Sequence, residues 1–317
     1  MQFDWNELAF ASKKPLNELN AIFVAAPREL SAARIKQLIK TYLPKGNLIF
    51  GAAKEPYVLG LDLQPQFKML EPAAIQPIID QVNASQPKYS ITTLAYFQRD
   101  LPFILEKLDL AKVVFINASW YFSFHLRKEY YILTQKHLPY ELVSPFTDEA
   151  EAKAFAQSHE QPTPQLPSNP QSDAQMMQLA YAAAKQSFDY STFQTGGALA
   201  KKEGSGYHAL ATTFNRNVPY LTYSWHHGAS RERQFSPMND LNFYDTNHYE
   251  IELLLHAQST GLDLSGTTLF CNVMHCPPCA RMICRTPITE IVYSRDHGDD
   301  YAIKLLEQSG KTVRRPA

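Results

Sequence analysis

A chain of 317 residues exceeds one compact domain of ordinary size, so two domains of about 150 residues each are expected. Hydrophobic residues make up 45% and charged residues 19%, which excludes a disordered chain and fits a globular one. A formal net charge of −1 excludes general attraction to phosphate backbones and leaves a local basic patch as the only route to nucleic acid.

The amino terminus, Met1-Gln2-Phe3-Asp4-Trp5, lacks a basic segment followed by an apolar run, and no later run of about 18 apolar residues could span a bilayer. A cytoplasmic protein with no membrane partner is expected. Ala21 to Ala26 is a short apolar run of buried-strand type, and Pro27-Arg28-Glu29-Leu30 opens a helical pattern to about Leu43. The alternation then recurs. Asn47 to Phe50, Ser90 to Tyr96, Val113 to Ile116 and Tyr140 to Val143 read as strands, while residues 73 to 84, 100 to 108 and 123 to 136 read as helices. Asp148-Glu149-Ala150-Glu151 begins a last helix with acids in its first turn. Strands alternating with helices over residues 1 to 157 predict an α/β domain with a mainly parallel, doubly wound sheet.

Ligands of such sheets bind beyond the carboxyl ends of the strands, here at Pro27 to Leu30 and Asn117-Ala118-Ser119. Neither segment is a phosphate-cradling glycine loop, so ordinary turns are the leading reading and the role of this domain is not legible. His125 and His137 read as surface or core residues rather than ligands. Residues 158 to 173 hold four prolines and few apolar residues, which predicts a semi-rigid linker with Asp173 available to cap the next helix.

The second domain, residues 174 to 317, opens with a helix to about Phe188 whose Met176, Met177, Leu179, Ala180, Ala183 and Ala184 share a face. Thr195 to Ala200 and Tyr207 to Thr212 read as a hairpin, and the small residues at Gly196, Gly197 and Ala198 permit close approach, of a substrate or of a neighbouring element. A loop of about thirty residues follows Phe214-Asn215-Arg216. Its Tyr220, Tyr223, Trp225, Phe235, Phe243 and Tyr244, interleaved with His226, His227, Arg231 and Arg233, suit stacking on a base while meeting a phosphate, or equally gluing the loop to protein. His226 and His227 could hold a second metal, although no cysteine lies near.

Asp245-Thr246-Asn247 supplies capping residues for a helix from His248 to about Ser259, which places His248 and Glu250 on its first turn. Gly266 to Val273 is the third strand of this domain. Cys276 and Cys279 open another helix, Glu290 to Tyr293 is a fourth strand, Tyr301 to Gln308 a helix and Lys311 to Arg315 a terminal edge. All four cysteines, Cys271, Cys276, Cys279 and Cys284, fall within fourteen residues, which suits a metal site in a reducing compartment better than a disulfide framework.

His248-Tyr249-Glu250, twenty-five residues, then Cys276-Pro277-Pro278-Cys279 presents one nitrogen and two thiolates to a tetrahedral Zn2+ and leaves its fourth position for water. Glu250, two residues after the histidine, can hold and deliver a proton without being a ligand. The H-x-E…C-x-x-C order is that of zinc deaminases. Three rivals stand beside it: a Cys276–Cys279 redox pair, a closed four-ligand site completed by His275, and a non-catalytic zinc-stabilised binding module. Cys271 and Cys284 read as buried apolar thiols.

Residues 174 to 317 also resemble the cytidine and deoxycytidylate deaminase superfamily. The resemblance rests on the leading helix, Gly196-Gly197-Ala198, the Asn215 turn, His248-Tyr249-Glu250, Gly266-Thr267-Thr268-Leu269-Phe270, Cys276-Pro277-Pro278-Cys279-Ala280 and Ile288 to Tyr293, in family order. Cys279 to Ile283 and Leu305 to Gly310 look like the deoxycytidylate branch, whereas Phe214-Asn215-Arg216 is similar to the tRNA adenosine deaminases. The resemblance implies a cytidine-deaminase-like α/β/α domain, zinc on His248, Cys276 and Cys279, Glu250 as proton shuttle, Asn215 near the sugar and a homodimer. Gly197, Ala198, Trp225 and Tyr249 complete the expected substrate contacts. Tyr249 departs from the family's usual small residue, His275 stands where a proline normally precedes the first cysteine, and the loop from Arg216 to Asn247 matches no branch. The expected activity is deamination of a cytosine-type nucleoside or nucleotide, with adenosine or cytidine deamination in RNA or tRNA as the rival. Arg281, Arg285, Arg314 and Arg315 could serve phosphate binding in either case.

Overall fold

The computed structural model describes residues 21–120, 124, 127–187, 194–227, 246–298 and 300–317. His125, Arg231, Arg233, Phe235, Phe243 and Tyr244 lie outside the described residues. The chain divides into two compact units. Residues up to His159, with 222–227, form the first, and Glu160 to the end, less 222–227, the second.

In the first unit the elements are β1 (Ala21–Val24), α1 (Ala32–Tyr42), β2 (Leu48–Ala53), α2 (Pro72–Ala84), β3 (Ile91–Tyr96), α3 (Leu101–Lys107), β4 (Leu110–Ile116), α4 (Lys128–Gln135), β5 (Tyr140–Val143) and α5 (Glu149–His159). The sheet order is β3-β2-β1-β4-β5 and every pairing is parallel. β1 and β2 are buried along their whole length, which is why they read as apolar runs rather than alternating ones. Ile22, Leu48, Phe50 and Val114 form one core with Ile35, Leu38 and Ile39 of α1 and Ile75 and Ile79 of α2.

Two helices start later than the sequence reading places them. α1 starts at Ala32, because the Ser31 side chain accepts a hydrogen bond from Arg34 N while residues 27–30 run extended, with Arg28 bridging to Met69. Arg28 is fully buried, its guanidinium 4.6 Å from the Phe155 ring, 5.5 Å from Trp225 and hydrogen-bonded to the Gln66 carbonyl. α4 starts at Lys128 instead of residue 123. The two turns named as candidate ligand loops are bonded to each other, Arg28 N donating to Ser119 Oγ at 2.9 Å.

The second unit contains α6 (Asp173–Ala184), β6 (Gly196–Glu203), β7 (Gly206–Phe214), β8 (Arg216–Asn217), β9 (Thr246–Asn247), α7 (Tyr249–Thr260), β10 (Thr267–Val273), α8 (Pro277–Cys284), β11 (Glu290–Arg295), α9 (Tyr301–Gln308) and β12 (Thr312–Arg314). Ser172 caps α6 in a reciprocal capping box with Gln175. The sheet order is β12-β11-β10-β6-β7, parallel from β12 to β10 and antiparallel from β10 to β7, while β8 and β9 pair separately. Strand alternation sorts the two faces. Ala198, Ala200, Phe270 and Val292 pack on Met176, Met177 and Ala180 of α6, whereas Leu199, Leu269, Cys271 and Ile291 pack with Tyr249 and Leu253 of α7, Ala280 and Ile283 of α8, and Ala302 and Leu306 of α9. The result is an α/β/α layer arrangement in which α7 and α8 begin beside the carboxyl end of the central strand β10. Among the described residues, no helix is long and apolar enough to cross a membrane.

Candidate metal centre and active site

Both ligand-bearing helices start at the site. His248 is the N-cap residue of α7 and Cys276 that of α8, each with extended backbone (ψ 154° and 157°), and Pro277 fixes the first helical turn after Cys276. Extended caps turn the two side chains back across the helix starts, and Cys279, three residues into α8, joins them. His248 Nδ1 lies 3.5 Å from Cys276 Sγ and 3.6 Å from Cys279 Sγ. A tetrahedral zinc with Zn–S of about 2.3 Å and Zn–N of about 2.0 Å separates an S and an N ligand by about 3.5 Å, so the residues present fit the metal. Among the described residues these are the one group of three such side chains with ligand atoms within 4.8 Å of one another.

The electrostatics agree with thiolate ligation. A hydrogen bond from Cys279, aided by His248, outweighs burial and brings the Cys276 thiol down to about 5, while the resulting thiolate and burial push Cys279 up. The two cysteines are free thiols, as are Cys271 and Cys284.

Glu250 is 2% exposed. Its Oε1 accepts a hydrogen bond from His275 Nδ1 at 2.8 Å, and Oε2 is buried without a hydrogen-bond partner among the described residues. Burial alone would raise the carboxyl, but the His275 hydrogen bond, with charge from His275 and His248, holds it below the usual range. An ionised, half-engaged carboxylate beside a metal-binding triad can accept and return a proton.

The remaining expected site residues separate into two groups. Asn215 is buried and its Oδ1 accepts from Tyr249 N at 2.9 Å, which fixes the start of α7. Gly197 lies against the Tyr249 ring, where a Cβ would come within 2.6 Å of Cε2, so its closeness serves this tyrosine. Tyr249 is itself 2% exposed and hydrogen-bonds His275 at 2.7 Å, forming part of the site's floor. Ala198 is fully buried on the other face of the sheet, against α6. Trp225 is also fully buried, 5.7 Å from Phe146 and 5.6 Å from Phe155 within the first unit, and as placed offers no surface to a base.

His226 bonds Ser144 at 2.9 Å and Glu149 at 3.0 Å. Arg314 is paired with Asp173 and Glu290, Arg315 with Asp296, and Arg281 donates to Tyr301 at 2.9 Å. The expected basic track is therefore largely committed to neighbouring side chains. Sequence reasoning named His275 only as a fourth ligand; its contact with Glu250 joins residues 25 positions apart, which no local pattern displays.

Residues 170–295 match the family described as the cytidine and deoxycytidylate deaminase zinc-binding region. A probable deoxycytidylate deaminase of Drosophila melanogaster is 28% identical over 141 residues, covering 44% of this chain and 66% of that protein. The deoxycytidylate deaminase of Saccharomyces cerevisiae is 30% identical over 114 residues, covering 33% and 34%. The chain thus aligns with under two thirds of the length of either relative. The solved dCMP deaminase of cyanophage S-TIM5 in apo form aligns at 18% identity with a TM-score of 0.33, over 45% of this chain and 95% of that one. Over residues 170–295, this chain is similar to the zinc-binding region of the cytidine and deoxycytidylate deaminases.

Proposed function

We propose that the second unit is a hydrolytic deaminase of a cytosine-type nucleotide, of deoxycytidylate type, releasing ammonia. The observation that carries this reading is the buried Glu250, one oxygen held by His275, beside a His248/Cys276/Cys279 group of zinc-matching spacing. The zinc ion, when bound by those three residues, supplies a Lewis acid that makes water a nucleophile near neutral pH. Glu250 takes one proton from the attacking water as its oxygen bonds to C4 of the base and passes it to the ring nitrogen, then takes the second proton from the new C4 hydroxyl and passes it to the departing amine. The C4–N bond breaks, ammonia leaves and a carbonyl remains. The amino-terminal starts of α7 and α8 favour the anions this scheme needs, the Glu250 carboxylate and the Cys276 and Cys279 thiolates.

The relatives' names, deoxycytidylate deaminase in fly and yeast, favour a free nucleotide. Commitment of Arg314 and Arg315 to acidic partners points the same way, since a polynucleotide needs a basic track. The test is ammonia release by zinc-loaded protein from cytosine, cytidine, deoxycytidine, deoxycytidylate, adenosine and RNA oligonucleotides. Turnover of deoxycytidylate above the others is expected. Ammonia from RNA adenosine alone would reassign the substrate, and none from any would leave a zinc-stabilised binding module.

A further inference from the structure

The two residues that depart from the superfamily pattern beside the metal ligands, Tyr249 and His275, touch each other and Glu250. His275 ends the stretch after β10, fully buried, and its Nδ1 faces both Glu250 Oε1 at 2.8 Å and the Tyr249 hydroxyl at 2.7 Å. As a carboxylate, Glu250 Oε1 can only accept, so in that form His275 Nδ1 carries the proton and donates it. The tyrosine oxygen then accepts at the same nitrogen, and its ring packs in one buried cluster with Cys271. The tyrosine ring is held by Gly197 in turn, because only a residue without Cβ leaves it room.

The chain of hydrogen bonds Tyr249, His275, Glu250 therefore terminates on one oxygen of the carboxylate. The other oxygen, Oε2, and the far ring nitrogen, His275 Nε2, are buried without hydrogen-bond partners among the described residues. Burying a polar atom unbonded costs stability, so the histidine is poorly explained as packing alone. A proline at this position would offer no side-chain donor to Glu250.

We propose that His275 is a positioning residue for the proton shuttle: braced by Tyr249, its Nδ1–H ties down Glu250 Oε1 and commits Oε2 to the water and base received at the His248/Cys276/Cys279 site. This rests on the deaminase reading for its kinetic consequence, though not for the hydrogen bond itself. A carboxylate that must accept and return a proton works only in one rotamer, and a fixed second oxygen removes the search for it.

The test uses the full chain, zinc-loaded, with His275→Leu, His275→Gln, His275→Asn and Tyr249→Phe. An asparagine amide N–H falls near the place of Nδ1–H, whereas glutamine places its donor one bond further on. Expected are kcat losses on deoxycytidylate of about 100-fold for leucine and glutamine and a smaller loss for Tyr249→Phe, with KM nearly constant and zinc stoichiometric. His275→Asn should recover kcat to within about 5-fold of wild type, a rescue that a packing role does not supply. Independently of activity, the 1H–15N spectrum of the protein should show a downfield His275 ring proton that shifts upfield in Glu250→Gln. Wild-type kcat in the zinc-loaded leucine variant, asparagine no better than leucine, or a ring proton indifferent to Glu250→Gln would each overturn the proposal. Should the histidine variants fail to fold, the Glu250→Gln spectrum and Tyr249→Phe kinetics still decide it. A zinc-loaded wild type inert on every substrate, with the ring proton coupled to Glu250, would sink the deaminase reading and leave the hydrogen bond standing.

Discussion

Arg28 in the first unit and Glu250 in the second are charged side chains buried almost completely, and their surroundings differ. In the first, Arg28 is enclosed by the rings of Phe67, Phe146, Phe155 and Trp225 and bonds the Gln66 carbonyl, so the cation is absorbed by aromatic faces. In the second, Glu250 has one oxygen held by His275 and the other left unbonded beside three metal-ligand side chains. Burial of charge alone therefore does not mark a site; what differs is the company, aromatic rings around Arg28 and a histidine with candidate metal ligands around Glu250.

That contrast breaks most visibly at the metal ligands. Cys276→Ser should abolish both zinc binding, measured by metal analysis, and ammonia release, because the pair of thiolates cannot be replaced by a hydroxyl. Removing zinc from the wild type with a chelator should lower its Tm, by an amount corresponding to about 2.7 kcal/mol if the metal had been present at 100 times its Kd. An unchanged Tm on metal removal would show that the site does not couple to folding.

The arginine should behave otherwise. Arg28→Ala leaves a hole lined by four rings and an unpaired carbonyl, and is expected to cost about 3 kcal/mol in denaturant unfolding while zinc content stays stoichiometric. Gly197→Ala is expected to cost about 1–3 kcal/mol, since its Cβ would approach Tyr249 Cε2 to 2.6 Å and the ring is fully enclosed. Circular-dichroism melts of both variants check these values.

How far the sequence foretold this follows from what kind of contact each feature makes. β2 is legible because a strand buried on both faces is apolar throughout, β4 through its buried run from Val113 to Ile116, and the grouping of His248, Cys276 and Cys279 because those residue types serve little else at that spacing. Arg28 was not. After Pro27 it looks like the first turn of a helix, and its partners at Gln66, Phe155 and Trp225 are distant in sequence. Trp225 stands in an aromatic loop whose composition reads the same whether the rings meet a ligand or a core, and it is fully buried. His275 drew attention to the metal through its neighbour Cys276, while its bond runs to Glu250.

The smallest expected effect concerns a partly exposed ion pair. The Arg314 guanidinium, outweighing burial, holds the Asp173 carboxyl below its usual range. A depressed folded pKa means that this contribution to stability is complete above the unfolded value of about 3.9 and is lost as the pH falls below it towards the folded value. Asp173→Asn should thus cost about 0.5–1 kcal/mol at neutral pH and flatten the acid limb of the stability profile below about pH 4, read by urea unfolding across pH.

The most direct measurement of the central claim is Glu250→Gln, assayed for zinc and for ammonia release from deoxycytidylate on the same sample as the wild type. Full zinc occupancy, stability within about 1 kcal/mol of wild type and a fall in kcat of about 10²–10⁴-fold are predicted. A zinc-loaded Glu250→Gln protein that turns over at the wild-type rate would contradict the assignment of Glu250 as the proton shuttle.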